Sequence, residues 1–232
     1  MGLALKERTG LTGNQLKLIA MAAMTLDHIG VYLLPQALIL RIIGRLALPI
    51  YAYMIAEGCR YTRSRKQYLL RIAGLAAVCQ AVYFFAMGSL YQCILVTFSM
   101  GIGLIYALDY ADKRKKWAVG IAALAAAFFV CRILPDLLSG TDFAVDYGIW
   151  GVLLPVLVYF SRNKWEKLRA FTVGLILLGF AYGGAQWFAL AAVPLLMLYN
   201  GQRGKHAMGM VFYLYYPAHL VVIYLLGLML YA

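Results

Sequence analysis

Nine apolar runs separated by short polar or basic segments leave this chain few folds to choose from. They lie at about 16–34, 42–59, 69–87, 93–108, 117–134, 147–160, 170–182, 185–199 and 209–231. Inside a bilayer every backbone N–H and C=O must be satisfied by the protein itself, so such runs become helices. A straight crossing takes ~20 residues, which makes the sixth, seventh and eighth runs short. The sequence therefore predicts an all-α, polytopic membrane helical bundle of about nine transmembrane helices, several of them short or kinked. Composition agrees. The chain is 64% hydrophobic and 13% charged, where soluble domains are roughly half apolar and about a quarter charged. The opening stretch Met1–Gln15 is too polar for a signal peptide, and no small-residue cleavage site follows the first run, which is expected to stay as a span. With no internal repeat and no low-complexity linker, one domain over 1–232 is expected.

The weak point is 170–199, too long for one helix and too short for two full ones, with Gly183-Gly184 at the expected turn. Charge decides it. With the N-terminus in the cytoplasm, 18 of the 21 Lys and Arg residues fall in cytoplasmic segments. These are Lys6, Arg8 and Lys17; Arg60, Arg63, Arg65, Lys66 and Arg71; Lys113–Lys116; Arg162, Lys164, Lys167 and Arg169; Arg203 and Lys205. Arg41, Arg45 and Arg132 remain outside, and Asp136, Asp142 and Asp146 sit in the outer loop 135–147. This is the positive-inside asymmetry. Merging 170–199 into one span would send Arg203 and Lys205 outward, so nine spans are predicted, N-terminus in and C-terminus out. The same distribution, short basic clusters between apolar runs, argues against nucleic acid, which asks for one basic face or arm. Cys59, Cys79, Cys93 and Cys131 show neither CxxC nor metal spacing and read as small core residues; no metal ion is expected.

A charge deep in a bilayer costs several kcal/mol and needs a reason to be there. The candidates are Asp27 and His28 in the first span, Arg41, Arg45 and Glu57 around the second, and His219 in the ninth; Arg132 is near enough to an interface to act as an anchor. Adjacent helical residues point ~100° apart, so Asp27 does not orient His28; Arg45 or Arg41 is its better partner. His28 lies roughly 12 residues past the cytoplasmic end of its span, ~18 Å deep, where its imidazole can serve as a base or nucleophile near neutral pH. In Leu40–Gly58, Arg41, Arg45, Pro49, Tyr53 and Glu57 recur every fourth residue. Pro49 cannot donate its amide, which frees the Arg45 carbonyl and predicts a kink there. Arginines on a kinked, tyrosine-bearing helix suit an anionic or carbonyl-bearing ligand. In the ninth span Tyr215 and Tyr216 lie one turn behind His219. The residues leave two readings of that histidine open: a core histidine satisfied by tyrosines, or a second proton-handling group opposite His28.

The segments LKLIAMAAMTLDHIGVYLLP (16–35), LRIIGRLALPIYAYMIAEGCRYTRSRKQYLLRI (40–72) and FYLYYPAHL (212–220) resemble the TraX family of membrane acetyltransferases, named for the enzyme that N-acetylates conjugative pilin. The DH and GRLALP segments show no departure; from about 90 to 200 the likeness is one of hydropathy pattern. More distantly, a first-span histidine followed by R-x-x-x-R-x-x-x-P and a basic loop is similar to the wider transmembrane acyltransferase superfamily. The resemblance implies a multi-pass protein of the bacterial inner membrane that takes acetyl-CoA as co-substrate from the cytoplasm. The acetyl group would pass to an acceptor amine or hydroxyl, on a peptide such as pilin or on an envelope glycan. It further implies His28 as the catalytic group, with Asp27 and Arg45 beside it. Arg41, Arg60, Arg63, Arg65 and Lys66 would hold the co-substrate, and Tyr53, Glu57, Tyr215 and His219 would stand around the acceptor or support the site. Buried histidines and a broken helix also suit a small proton-coupled transporter, and a scaffold of a secretion or conjugation complex is a third class. Stabilisation by acetyl-CoA separates the first two.

Overall fold

In a computed structural model, residues 9–205 and 208–231 are described; Lys6 and Arg8, counted toward the cytoplasmic charge, lie outside them. The described chain is all-α, with two isolated β-bridges and no strand. The helices are α1 (Gly13–Tyr32), α2 (Leu38–Gly44), α3 (Ala47–Tyr61), α4 (Arg65–Met87), α5 (Ile94–Arg114), α6 (Trp117–Phe128), α7 (Leu134–Leu137), α8 (Gly148–Phe160), α9 (Lys164–Tyr182), α10 (Ala192–Met197) and α11 (Gly209–Tyr231). A π-turn, Phe129–Ile133, joins α6 to α7, and a 3₁₀ segment, Gly184–Ala191, leads into α10. Each of the nine apolar runs thus corresponds to one helical stretch. Leu38–Tyr61 (across its break), Arg65–Phe85, Ile94–Arg114 and Trp117–Leu137 are each long and apolar enough to cross a membrane.

The helices outrun the apolar runs because caps, not lipid, end them. Thr12 and Gln15 form a reciprocal capping box that starts α1 ahead of Leu16, the Gln15 amide donating to Thr12 Oγ1 and the Thr12 amide to Gln15 Oε1. Ser64 caps α4 and Asn163 caps α9 through their side-chain oxygens. Back-extension to Lys164 lengthens the helix of the seventh run to 19 residues, the added turns being charged while the apolar run itself stays short. Gly183 and Gly184, at φ +63° and +49°, break the chain before the eighth. There 3₁₀ geometry rises ~2.0 Å per residue, so 184–197 reaches about 25 Å where an α-helix would reach about 21 Å. That is how a stretch too short for two α-helices holds two helical segments.

The chain groups into two compact units, residues 1–51 with 188–232 and residues 52–187. The boundaries fall inside α3 and the 3₁₀ segment, so no linker marks them where one domain was expected.

In the first unit α1 packs on α2 and on α11. Gly44 and Gly30 let α2 approach: a methyl on Gly44 would lie 2.6 Å from Asp27 Cγ, and one on Gly30 3.0 Å from Leu40 Cβ. Along α11 the pairs run in step with α1. Lys17 stands over Phe212, Thr25 bonds Tyr215, His28 meets His219, and Gly227 approaches Leu33. The two helices are therefore parallel and start on the same side. An even number of crossings must separate their starts, so the total is odd. Nine satisfies that parity and the merged count of eight does not.

In the second unit α5 packs against α4, α6 and α8, and α8 against α9. Close approach again rests on small residues: a methyl on Gly101 would meet Pro155 Cγ at 2.9 Å, and one on Gly174 would meet Leu154 Cδ2 at 2.9 Å. Ile102, Ile105, Val152, Phe171 and Leu178 are fully buried. Two loops clasp at one end. Asp142 accepts from Ser89 Oγ at 2.5 Å and from the Leu90 amide at 2.8 Å, while Gln92 pairs with the backbone of Ala144 and Asp146. These bonds hold the exposed Asp142 carboxyl below its ordinary range, the Ser89 hydroxyl contributing most.

Candidate functional site in the first unit

The break between α2 and α3 falls at Arg45-Leu46, one turn ahead of Pro49, whose ring nitrogen has no hydrogen to donate back along the helix. Gly44 sits directly before it, so the backbone turns where α2 lies closest to α1. This geometry aims both arginines at one carboxylate. Arg45 Nη2 donates to Asp27 Oδ1 at 2.5 Å and Arg41 Nη1 to Asp27 Oδ2 at 2.9 Å. The side chains of Arg45 and Asp27 are 10% and 16% exposed, that of Arg41 33%, so the Arg45 arm is the dry one. Arg45 Nε also donates to the Arg41 carbonyl at 3.2 Å. The sequence left Arg45 or Arg41 open as the partner of Asp27; both hold it.

His28 points elsewhere, as the ~100° step requires. Its Nδ1 lies 2.7 Å from His219 Nε2, with the rings stacked at 4.9 Å between centroids. His219 Nδ1 lies 2.9 Å from the Tyr215 carbonyl, and the Tyr215 ring stacks on it at 5.1 Å and 7°. These contacts assign the tautomers. A carbonyl only accepts, so His219 Nδ1 carries a proton and donates it; a neutral His219 then presents Nε2 as an acceptor. His28 Nδ1 must carry the proton between the rings, which leaves His28 Nε2 with a lone pair and no hydrogen-bond partner among the described residues. One histidine orients the other, as a carboxylate orients histidine in a hydrolase triad. Both contacts named for His219 are present: its Nδ1 meets the Tyr215 carbonyl and its Nε2 meets His28.

Around this chain stand residues the sequence reading passed over. Thr25 and Tyr215 share a hydroxyl–hydroxyl bond, Tyr51 lies within electrostatic reach of Tyr215, and the Tyr32 ring is 6.2 Å from His28. Thr25 and Tyr32 are three before and four after His28, the spacing that puts helical residues on one face. Neither is charged, so a reading that begins from the intramembrane charges does not reach them.

The remaining candidates belong to the second unit. Tyr53 is buried edge-on to Phe171 at 5.7 Å. Glu57, also buried, pairs with Lys167 Nζ at 2.6 Å. Arg60 Nη2 donates to the Tyr159 and Ser161 carbonyls at the end of α8, and Arg65 donates to Asp109 at 2.5 Å and to the Tyr159 hydroxyl. Both arginines are thus engaged within the protein, Arg60 at the helix terminus where cations are favoured. Arg63 and Lys66 are exposed. Cys59, Cys79 and Cys93 are buried free thiols and Cys131 is half-buried. Arg132 pairs with Asp136 one turn on, at an exposed position.

Comparison with known proteins places this geometry in a family. The profile described as "TraX protein" matches residues 12–227. A probable fimbrial assembly protein FimC, serogroup H1, of Dichelobacter nodosus is 25% identical over 90% of this chain and 93% of its own length. An uncharacterized protein of Rickettsia prowazekii (strain Madrid E) is 55% identical over 38 residues, 16% of this chain and 15% of its own. No solved structure matches. The profile runs from the threonine that caps α1, through both histidines, to four residues short of the end of α11, and a membrane protein matched over that extent belongs to the TraX family.

Proposed function

We propose that the chain is an acetyltransferase of the bacterial inner membrane, moving an acetyl group from cytoplasmic acetyl-CoA to an amine or hydroxyl of a pilus subunit or another envelope acceptor. The observation that carries the reading is the unpartnered lone pair of His28 Nε2, held in that tautomer by His219 and the Tyr215 carbonyl. Family membership and the fimbrial relative support the pilus side of it. In the reaction, Nε2 takes a proton from the acceptor as its nitrogen or oxygen attacks the thioester carbonyl. The tetrahedral oxyanion collapses, the C–S bond breaks, and the proton leaves with the CoA thiolate as thiol. Alternatively Nε2 itself accepts the acetyl group and passes it on. Arg45 and Arg41, within electrostatic reach of His28, leave one positive charge after Asp27 is counted and suit the oxyanion.

The test is acetyl transfer and CoA release by purified protein in lipid nanodiscs. His28→Ala should be folded, bind CoA and transfer nothing above background. His219→Ala should bind CoA and lose most of its rate, because the freed imidazole samples the wrong tautomer. Near-normal turnover by His28→Ala would end the proposal. A burst of CoA without acceptor, stoichiometric with enzyme, would select the acetyl-histidine route.

A further inference from the structure

We infer that Lys17 and Arg203 form a phosphate site at the base of the first unit, and that its ligand is the 3′-phosphorylated nucleotide end of the acyl donor; this rests on the acetyl-CoA reading above. The site begins with a backbone clasp. The Gly13 and Asn14 amides of α1 donate to the Gln202 and Arg203 carbonyls at 2.8 and 3.0 Å, while Leu11 and Asn200 pair with the opposite strands of the same clasp. The start of α1 is therefore plugged by peptide, and the clasp fixes Arg203 beside the turn that carries Lys17.

Both cations converge on the first turn of α11. Lys17 Nζ sits 5.2 Å over the Phe212 ring, Arg203 lies within electrostatic reach of Lys17, and a methyl on Gly209 would lie 3.7 Å from Arg203 Nη2. Two like charges at the positive end of a helix repel each other and the dipole. Among the described residues no carboxylate pairs with either. Residues 1–51 and 188–232 hold two carboxylate side chains, Glu7 and Asp27. Asp27 is taken by Arg41 and Arg45, and Glu7 lies outside the described residues. Neither Lys17 nor Arg203 has a carboxylate partner among the described residues. An ammonium on an aromatic ring beside a guanidinium, with no carboxylate partner among the described residues, suits an anion, and a phosphate dianion satisfies both.

Position selects which phosphate. Lys17 and His28 are 11 residues apart, close to three full turns, so they share one face of α1 at an axial separation of about 16 Å. The pantetheine arm amounts to between four and five residues of extended main chain, roughly 15 Å. A nucleotide held at Lys17 therefore delivers its thioester to the depth of His28. The Arg60–Lys66 segment, in the other unit, has two of its arginines already bound to protein oxygens.

The experiment uses the full chain in phosphatidylcholine nanodiscs and measures binding of CoA, adenosine 3′,5′-bisphosphate and pantetheine. Lys17→Met and Arg203→Gln should each weaken CoA and the bisphosphate on the order of tenfold, the worth of one charge-assisted hydrogen bond. Pantetheine binding should not change, and Lys17→Arg should retain CoA. If wild type binds CoA but both variants match it within about twofold, the phosphates sit elsewhere and this inference fails alone. If instead the variants lose only stabilisation by added phosphatidylglycerol, the cations serve lipid headgroups and the inference is overturned. Wild type that binds no CoA would remove the acetyl-CoA reading first, and this site with it.

Discussion

Removing the Asp27 carboxylate should cost the first unit more than any other single polar change, and the three exposures say why. Asp27→Ala strands two guanidiniums at once, Arg45 at 10% side-chain exposure and Arg41 at 33%. Breaking a buried pair on one side leaves an uncompensated charge and costs ~3–5 kcal/mol. The Arg41 arm, a third exposed, is worth about 1 kcal/mol or less. Arg45→Ala leaves Asp27 still held by Arg41 and should therefore destabilise less than Asp27→Ala, and Arg41→Ala, the more exposed arm, less again. At about 2–4 °C per kcal/mol for a chain of this size, Asp27→Ala should lower Tm by roughly 6–20 °C. The Asp27→Ala/Arg45→Ala double variant should lose much less than the two singles summed, because the buried Arg45 charge is gone and only Arg41, a third exposed, has lost its carboxylate. Thermal unfolding in nanodiscs, following tryptophan fluorescence and soluble fraction together, reads all four proteins. Additive losses would refute the reasoning, as would an Arg41→Ala loss equal to that of Arg45→Ala, since exposure would then fail to rank the two arms.

Two further outcomes follow from the fold. Because α1 and α11 start on the same side, a phosphatase fused after Tyr231 should be active and a cytoplasm-dependent fluorescent fusion dark; the opposite pair of signals would overturn nine crossings. The Asp142 clasp should be acid-labile: a carboxyl whose folded value is depressed stabilises above its unfolded value of about 3.9 and loses that contribution as pH falls through the folded one. Protection of the Leu90 amide, measured against its intrinsic exchange rate at each pH, should thus be high near neutrality and fall in strong acid, and Asp142→Asn should flatten the profile; pH-independent protection of Leu90 would sink the assignment.

How far the sequence could be read depended on the range of the interactions involved. The number and class of the helices were legible because apolar length and cationic flanks are local, additive signals. Helix ends were read too short. Thr12, Ser64 and Asn163 are cap residues lying in polar stretches that a hydropathy reading discards. The eighth span was ambiguous because its extra reach comes from 3₁₀ geometry, which no composition signal encodes. Within the site, the Pro49 break and the arginine–Asp27 pairing could be deduced, since proline geometry and the cost of a lone charge leave few alternatives. The pairing of His28 with His219 spans 191 residues of sequence. Nothing local indicates it, and an unaligned sequence shows only that both are buried. Lys17 was counted as a topology signal because its position satisfied the positive-inside pattern, which left its neighbourhood with Arg203 unread.

In the proposed reaction the two halves of the first-unit site constrain each other. Asp27 cancels one of two guanidinium charges, so the cluster keeps a net +1 beside His28. That residual charge opposes an imidazolium standing alone and favours an oxyanion. His28 therefore gains a proton most readily when negative charge is forming on the carbonyl oxygen at the same time, in the tetrahedral state. A site arranged this way does not ionise its base in the resting protein and stabilises the charge pair only when donor and acceptor are both present. Replacing Asp27 by Asn raises the cluster to +2. It should therefore depress turnover per folded molecule, the loss from disfavouring the protonated histidine exceeding the gain at the oxyanion; wild-type turnover by folded Asp27→Asn would refute this balance.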